Sequence, residues 1–190
     1  MRVLVACECS GKVRQAFRAR GADAWSNDIL PADDGSAHHI VGDCLEAINR
    51  KGPWDIIIVH PPCTALAVSG NRWYGSGAQR HHERIAAVKW TTHLWAACKD
   101  KTRIGACLEN PVGVLPFKPT QYIQPWEFGH GETKKTGLWL YNLPKLQPTN
   151  IVAGREQRIW RLSPSADRAK IRSETYQGIA DAMADQWGPK

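Results

Sequence analysis

Apolar positions recur along this chain with two periods. Val3-Leu4-Val5-Ala6, Ile56-Ile57-Ile58-Val59 and Ile104 to Leu108 are nearly unbroken apolar runs, the pattern of parallel strands covered on both faces. Ala22 to Ser26 and His39-Ile40-Val41 are β-type runs that end at Asn27-Asp28 and Gly42-Asp43. Helical spacing appears between them. Val13, Ala16 and Phe17 recur over Lys12 to Arg20, which Gly21 closes, and Ile85, Val88, Thr92, Trp95 and Ala96 share a face between His81 and Lys99. Pro116 to Pro125 reads as loop and Gly137 to Leu140 as strand. Tyr176, Ile179, Ala180, Met183, Ala184 and Trp187 line one face of a tail helix over 176–187. Strand and helix in alternation predict an α/β fold, a doubly wound, mostly parallel Rossmann-like sheet whose ligands sit beyond the carboxyl ends of the strands.

The chain has 190 residues, the length of one well-buried domain, and we read residues 1–190 as a single domain. Hydrophobic residues make up 43% and charged residues 23%, close to the ordinary globular average, so nothing in the composition argues for disorder or a membrane span. Glu8 interrupts the first apolar run and Lys12 and Arg14 follow it, which argues against a secretory signal and for the cytoplasm. The six cysteines then read as free thiols. Cys7-x-Cys9 lacks zinc-knuckle spacing and no second pair completes it, so no metal is expected. A net charge of +7 suits a polyanionic partner. Much of it falls at 145–175, a loop-rich segment carrying Arg155, Arg158, Arg161, Arg168 and Arg172 among prolines and serines.

Candidate chemistry lies where the strands end. Ser10-Gly11 is a turn that lets a nucleotide-like ligand approach a helix start, or simply the glycine that a strand-to-helix turn needs. Asp28 stands near the interval at which a second-strand acid meets ribose hydroxyls, and Asp43 suits an adenine amino group; both also read as solvated strand-end acids. Cys63 follows two prolines that stop the fourth strand and hold a thiol at the sheet rim, where an ionised sulfur is a nucleophile. Glu109 ends the next strand and falls beside it, a proton-handling acid next to a nucleophile.

In this order the motifs resemble the DNA cytosine-5 methyltransferase family. Pro62-Cys63-Thr64-Ala65-Leu66, continuing to Ser69-Gly70, is similar to the family's catalytic Pro-Cys loop, and Glu109-Asn110-Pro111-Val112 to its Glu-Asn-Val element. Ser26-Asn27-Asp28 and Gly42-Asp43 resemble its second- and third-strand motifs, and Tyr176-Gln177-Gly178-Ile179 opens a similar tail helix. The resemblance implies methyl transfer from S-adenosylmethionine, leaving S-adenosylhomocysteine, to carbon 5 of a cytosine flipped out of double-stranded DNA. Cys63 would add to carbon 6 while Glu109 holds N3. Glu8, Asp28, Ile29, Asp43 and Pro62 match the family's cofactor contacts, Gln177 more loosely, and Ser10, Gly11 and Cys44 complete that candidate set.

The departures are specific. Ala6 to Gly11 replaces a glycine-rich turn, Pro61 a phenylalanine and Ala67 a serine. Glu132, Lys134 and Thr136 stand where the family has Gln-x-Arg-x-Arg, which makes Lys134 the candidate cation beside Cys63, with Lys135 as fallback. The stretch from Thr136 to Tyr176 is too short for a separate target-recognition domain, so a short or degenerate DNA target is expected. Arg155, Arg158, Arg161, Arg168 and Arg172, with Lys135 and Thr136, would contact the DNA backbone, and Asn71, Arg72 and Trp73 would fill the gap left by the flipped base. Such compact sequences resemble methyltransferases of bacteriophages and prophages, acting in the bacterial host cell. A methyltransferase for exocyclic amines and a non-catalytic DNA-binding protein on the same scaffold are the alternatives, and a partner that supplies specificity stays open.

Overall fold

The computed structural model describes residues 1–165 and 167–190. Its strands are β1 (Arg2–Ala6), β2 (Asp23–Asp28), β3 (His39–Val41), β4 (Trp54–Val59), β5 (Thr102–Pro111), β6 (Gln121–Ile123) and β7 (Thr136–Tyr141). The helices are α1 (Lys12–Ala19), α2 (Cys44–Arg50), α3 (Asn71–Tyr74), α4 (His81–Lys101), α5 (Arg158–Arg161), α6 (Arg168–Ser173) and α7 (Gln177–Trp187). The seven strands form one sheet in the order β3-β2-β1-β4-β5-β7-β6. The five strands from β3 to β5 pair in parallel, and β7 runs antiparallel to both β5 and β6.

Period-two alternation sorts the strand side chains into two cores. Val3, Val5, Ile56 and Ile58 face Val13, Ala16 and Phe17 of α1 and Ile179, Ala180, Met183 and Trp187 of α7. Leu4, Ala6, Ile57 and Val59 face the other way, onto Ala47 and Ile48 of α2 and Leu94, Trp95 and Cys98 of α4. Every residue of β4 is buried, as the apolar run Ile56-Ile57-Ile58-Val59 requires, and each large apolar side chain contributes about 1.5–3 kcal/mol of burial. After β3 the chain crosses back over β1 to enter β4, so the winding direction reverses between β1 and β4. The carboxyl ends of these two strands therefore open a crevice.

Several expectations shift. The apolar face of α4 is rotated: Ile85 is exposed, whereas Arg84, Thr91, Leu94, Trp95 and Cys98 are buried. The helix leans its Leu94 and Cys98 edge on the sheet, and near its start it buries Arg84. The stretch 116–125 holds β6, because β7 offers an edge to pair with. Glu109 lies inside β5, since β7 extends that ladder to Pro111. The basic segment is mostly loop but carries the short helices α5 and α6, buries Ile159 and packs Leu162 and Ile171 against the core.

Candidate active site

The prolines after β4 create the site. The last β4–β5 pair is Val59 with Leu108, and His60 N donates one more bond to Ala6 O at 3.0 Å. Pro61 and Pro62 have no N–H to continue the ladder, so from Glu109 onward side chains bridge the gap. Asn110 Nδ2 donates to Pro61 O at 2.9 Å, and Glu109 Oε2 lies 2.6 Å from His60 Nδ1.

The loop that presents Cys63 is held on both sides. Cys63 O accepts from Leu66 N at 3.0 Å and Ala67 N at 2.8 Å, closing a tight turn. Val68 N and Val114 N pair the loop with the chain after β5. From α4 the Arg84 guanidinium donates to Ala65 O at 2.7 Å, Ala67 O at 3.1 Å and Asn71 Oδ1 at 2.8 Å. A planar fork of donors suits three acceptors spread along a loop, which is why an arginine is buried there. Its signal in the sequence is weak, a charge on a helix that otherwise reads as amphipathic.

Around the thiol the electrostatics are mixed. Burial raises the Cys63 thiol above its ordinary value and the Glu109 carboxylate adds to this, while Lys134 and Arg172 draw it down. Cys63, Glu109 and Lys134 thus come together at the rim as the sequence suggested. Arg172, expected on the DNA backbone, also acts on this thiol through its charge, while its guanidinium makes a long bond to Ile159 O at 3.5 Å. Lys134 is anchored by donation to Glu174 O at 3.1 Å and stands over the Tyr176 ring.

The candidate cofactor residues divide. Glu8 is buried just past β1, where Oε1 accepts from Ser10 Oγ and Val13 N at 3.1 Å each. Gly11 sits at φ +71°, and a Cβ there would collide with Arg14, so glycine is required for the turn into α1. Asp28 ends β2 beside Ile29, which is 76% exposed. Asp43 instead caps α2, accepting from Glu46 N at 3.0 Å. Cys44 is turned into the core beside Cys7; the neighbouring thiols act on each other, so that Cys44 is drawn down while Cys7 is driven up. Pro62 is exposed, and Gln177 donates to Asp181 at 2.9 Å on α7. A cavity of about 250 Å³ lies between the starts of α1 and α7, lined by Lys12, Glu132, Glu174 and Gln177 among others.

Seven buried side-chain polar atoms lack a partner among the described residues, and four of them lie at one rim: Asn27 Oδ1, Glu8 Oε2, His60 Nε2 and Asn110 Oδ1. They belong to the carboxyl ends of β2, β1, β4 and β5, in the order in which those strands lie in the sheet. Buried polar groups are ordinarily satisfied, so this row marks the crevice as a place for a polar ligand.

The candidate DNA contacts also separate. Trp73 on α3 is 57% exposed with Arg72 against its ring, while Asn71 is partly committed to Arg84. Lys135 lies 4.4 Å from the Tyr122 ring centroid, and Arg155 stacks on Trp126 at 3.8 Å. Arg158 pairs with Glu132 at 2.9 Å. Arg161 is exposed, and Arg168 has a buried Nε without a partner among the described residues. Thr136 must be withdrawn from this set: it is 3% exposed and donates to Lys134 O, because β7 turns it inward.

Together the sheet and its crevice define an α/β protein with a doubly wound, seven-stranded, mostly parallel sheet. No protein-family model matches the chain, and no curated protein matches its sequence. A solved structure from E. coli, provisionally designated a DNA modification methyltransferase encoded within a prophage, superposes with a TM-score of 0.56 at 12% identity. The match covers 86% of this chain and 55% of that one, so this chain spans about half the length of its structural neighbour. An S-adenosylmethionine-dependent methyltransferase from Neisseria gonorrhoeae matches with a TM-score of 0.42 at 14% identity, over 73% of this chain and 60% of that one.

Proposed function

We propose that the chain is a single catalytic domain that methylates carbon 5 of cytosine in double-stranded DNA. The observation that carries this reading is Cys63, presented on a clamped loop at the switch-point rim, with Glu109 and the cations Lys134 and Arg172 around it. The name of the E. coli neighbour supports DNA as substrate and a prophage setting.

The crevice fits S-adenosylmethionine. Asp28 would take the ribose hydroxyls and Ile29 would cover the adenine, while the free oxygen of Glu8 suits the cationic methionine end. When bound, the cofactor supplies an electrophilic methyl group. Cys63, as thiolate, adds to carbon 6 of the flipped base, and Lys134 and Arg172 stabilise the sulfur as an anion. Glu109 holds the ring at N3, which takes a proton as electron density moves to carbon 5. Loss of the carbon 5 proton and departure of Cys63 complete the reaction. Among the described residues between β7 and α7 the helices are short and offer this domain few elements for base-edge readout, which favours a short or degenerate target.

The test is to incubate the protein and a Cys63→Ala variant with unmethylated duplex DNA and labelled S-adenosylmethionine, then digest to nucleosides. Label in 5-methylcytosine that vanishes with Cys63→Ala supports the reading. N4-methylcytosine or N6-methyladenine would assign amine chemistry instead, and DNA binding without label would mark a non-catalytic scaffold.

A further inference from the structure

Glu109 enters the site already bonded. Its Oε2 lies 2.6 Å from His60 Nδ1, with side-chain exposures of 11% and 8%, and no second hydrogen bond reaches its carboxylate among the described residues. The charged groups that face His60 are Glu109 from β5, Glu8 from the turn after β1 and Lys134 from the approach to β7. Two carboxylates against one ammonium favour the imidazolium over burial, which opposes it; His60 is raised above its ordinary value and Glu109 is held below its own. An ionised Glu109 can orient a base but has no proton to give it. Its one partner among the described residues, the imidazole nitrogen 2.6 Å away, is placed to hold that proton.

Resting on the cytosine reading above, we infer that His60 is the positioning residue that stores the proton for N3. As sulfur bonds to carbon 6, the C5=C6 pair moves to C4=C5 and the C4=N3 pair onto N3. The His60 Nδ1–H bond breaks and its proton passes to Oε2 of Glu109. The carboxyl group turns about its terminal torsion, which is broad and roughly two-fold, and delivers the proton to N3. Thiolate, imidazolium and base become a neutral adduct and a neutral imidazole, and Glu109 ends as it began. When Cys63 departs the proton returns by the same route. Glu109 touches the base, and His60 acts only through it.

His60→Asn separates storage from orientation, because its amide nitrogen falls near the position of Nδ1 and still donates to Oε2 but carries no charge. Wild type is expected to form 5-methylcytosine with a kcat that is level between the imidazolium pKa and that of the Cys63 thiol, where gain of thiolate offsets loss of imidazolium, and that falls tenfold per pH unit above the thiol's pKa. His60→Asn is expected to lose about 100-fold or more at neutral pH and to lack that alkaline limb. Independently of turnover, nitrogen-15 NMR of the full-length protein without DNA should show the His60 ring titrating above the ordinary histidine value in wild type and lower in Glu109→Gln. Wild-type kcat and pH profile in His60→Asn would overturn storage while leaving the cytosine reading standing. So would an NMR spectrum showing a neutral His60 ring at pH 6. A wild type that forms no 5-methylcytosine would overturn the reading and the proton store with it.

Discussion

Cys63 is set between opposing charges, and its titration should report each of them. Lys134 and Arg172 stabilise the thiolate and Glu109 destabilises it. Lys134→Gln should move the pH midpoint of Cys63 alkylation upward and Glu109→Gln should move it downward. Iodoacetamide labelling followed by mass spectrometry of the Cys63 peptide reads both, and shifts in the same direction would refute the assigned geometry. The His60–Glu109 pair has its own pH window. His60 is raised from 6.5, so its contribution is full below that value and is lost as pH rises through its folded pKa. Glu109 is lowered from 4.5, so its contribution is present above that value and is lost as pH falls through its folded pKa. The stability difference between wild type and His60→Asn in urea should therefore be greatest between about pH 4.5 and 6.5 and narrow on both sides. His60 is legible in the sequence only in part. Once Val59 is known to pair with Leu108, residue 60 must lie against residue 109, but that register comes from the folded sheet.

At the scale of elements, α4 and α7 each carry a constraint that local pattern hides. Arg84 joins α4 to the catalytic loop through two main-chain carbonyls and Asn71. Arg84→Met keeps the apolar stem but leaves those acceptors unpaired, at an expected cost of about 2–3 kcal/mol in urea unfolding. The same variant should open the loop to protease cleavage between Thr64 and Asn71, and an unchanged digestion pattern would argue that the clamp is unimportant. In α7 the first turn presses on the carbonyl of Phe128, and a Cβ on Gly178 would overlap it. Gly178→Ala normally favours a helix, yet here it should destabilise by more than about 1 kcal/mol, read as a lowered Tm. The amphipathic face of α7 is plain from spacing, and all six of its named residues are buried. Spacing misplaces the face of α4 because Ile85 is apolar and Arg84 is not, whereas the fold needs the arginine inside.

For the molecule as a whole, +7 is a sum that overstates what DNA would meet. Arg158 is neutralised by Glu132 and Arg155 is laid on Trp126, while Arg161 is exposed and enters no ion pair among the described residues. Arg161→Ala should weaken duplex binding and flatten the dependence of log K on log salt by about 0.9, the slope that belongs to one neutralised phosphate. Arg158→Ala should change the salt slope less and stability more, since its guanidinium is tied to Glu132, which also accepts from Tyr176 at 2.7 Å. Equal salt slopes for the two variants would show that ion pairing does not select among these arginines. The neighbouring Trp160, 71% exposed on α5, gives the same segment an apolar tip.

Local pattern determined the strands β1 to β5, the helices α1 and α7, and the delivery of Cys63 and Glu109 to one rim. Apolar periodicity and proline are short-range signals that survive in any context. Tertiary structure decided the rest: which side chain faces Glu109, which arginine is buried as a clamp, and which basic residues act on the thiol. Those are questions of register and of packing between distant segments, since His60 meets a residue 49 positions away and Lys134 one 40 positions away. No local preference encodes such distances; packing the two faces of a single sheet does.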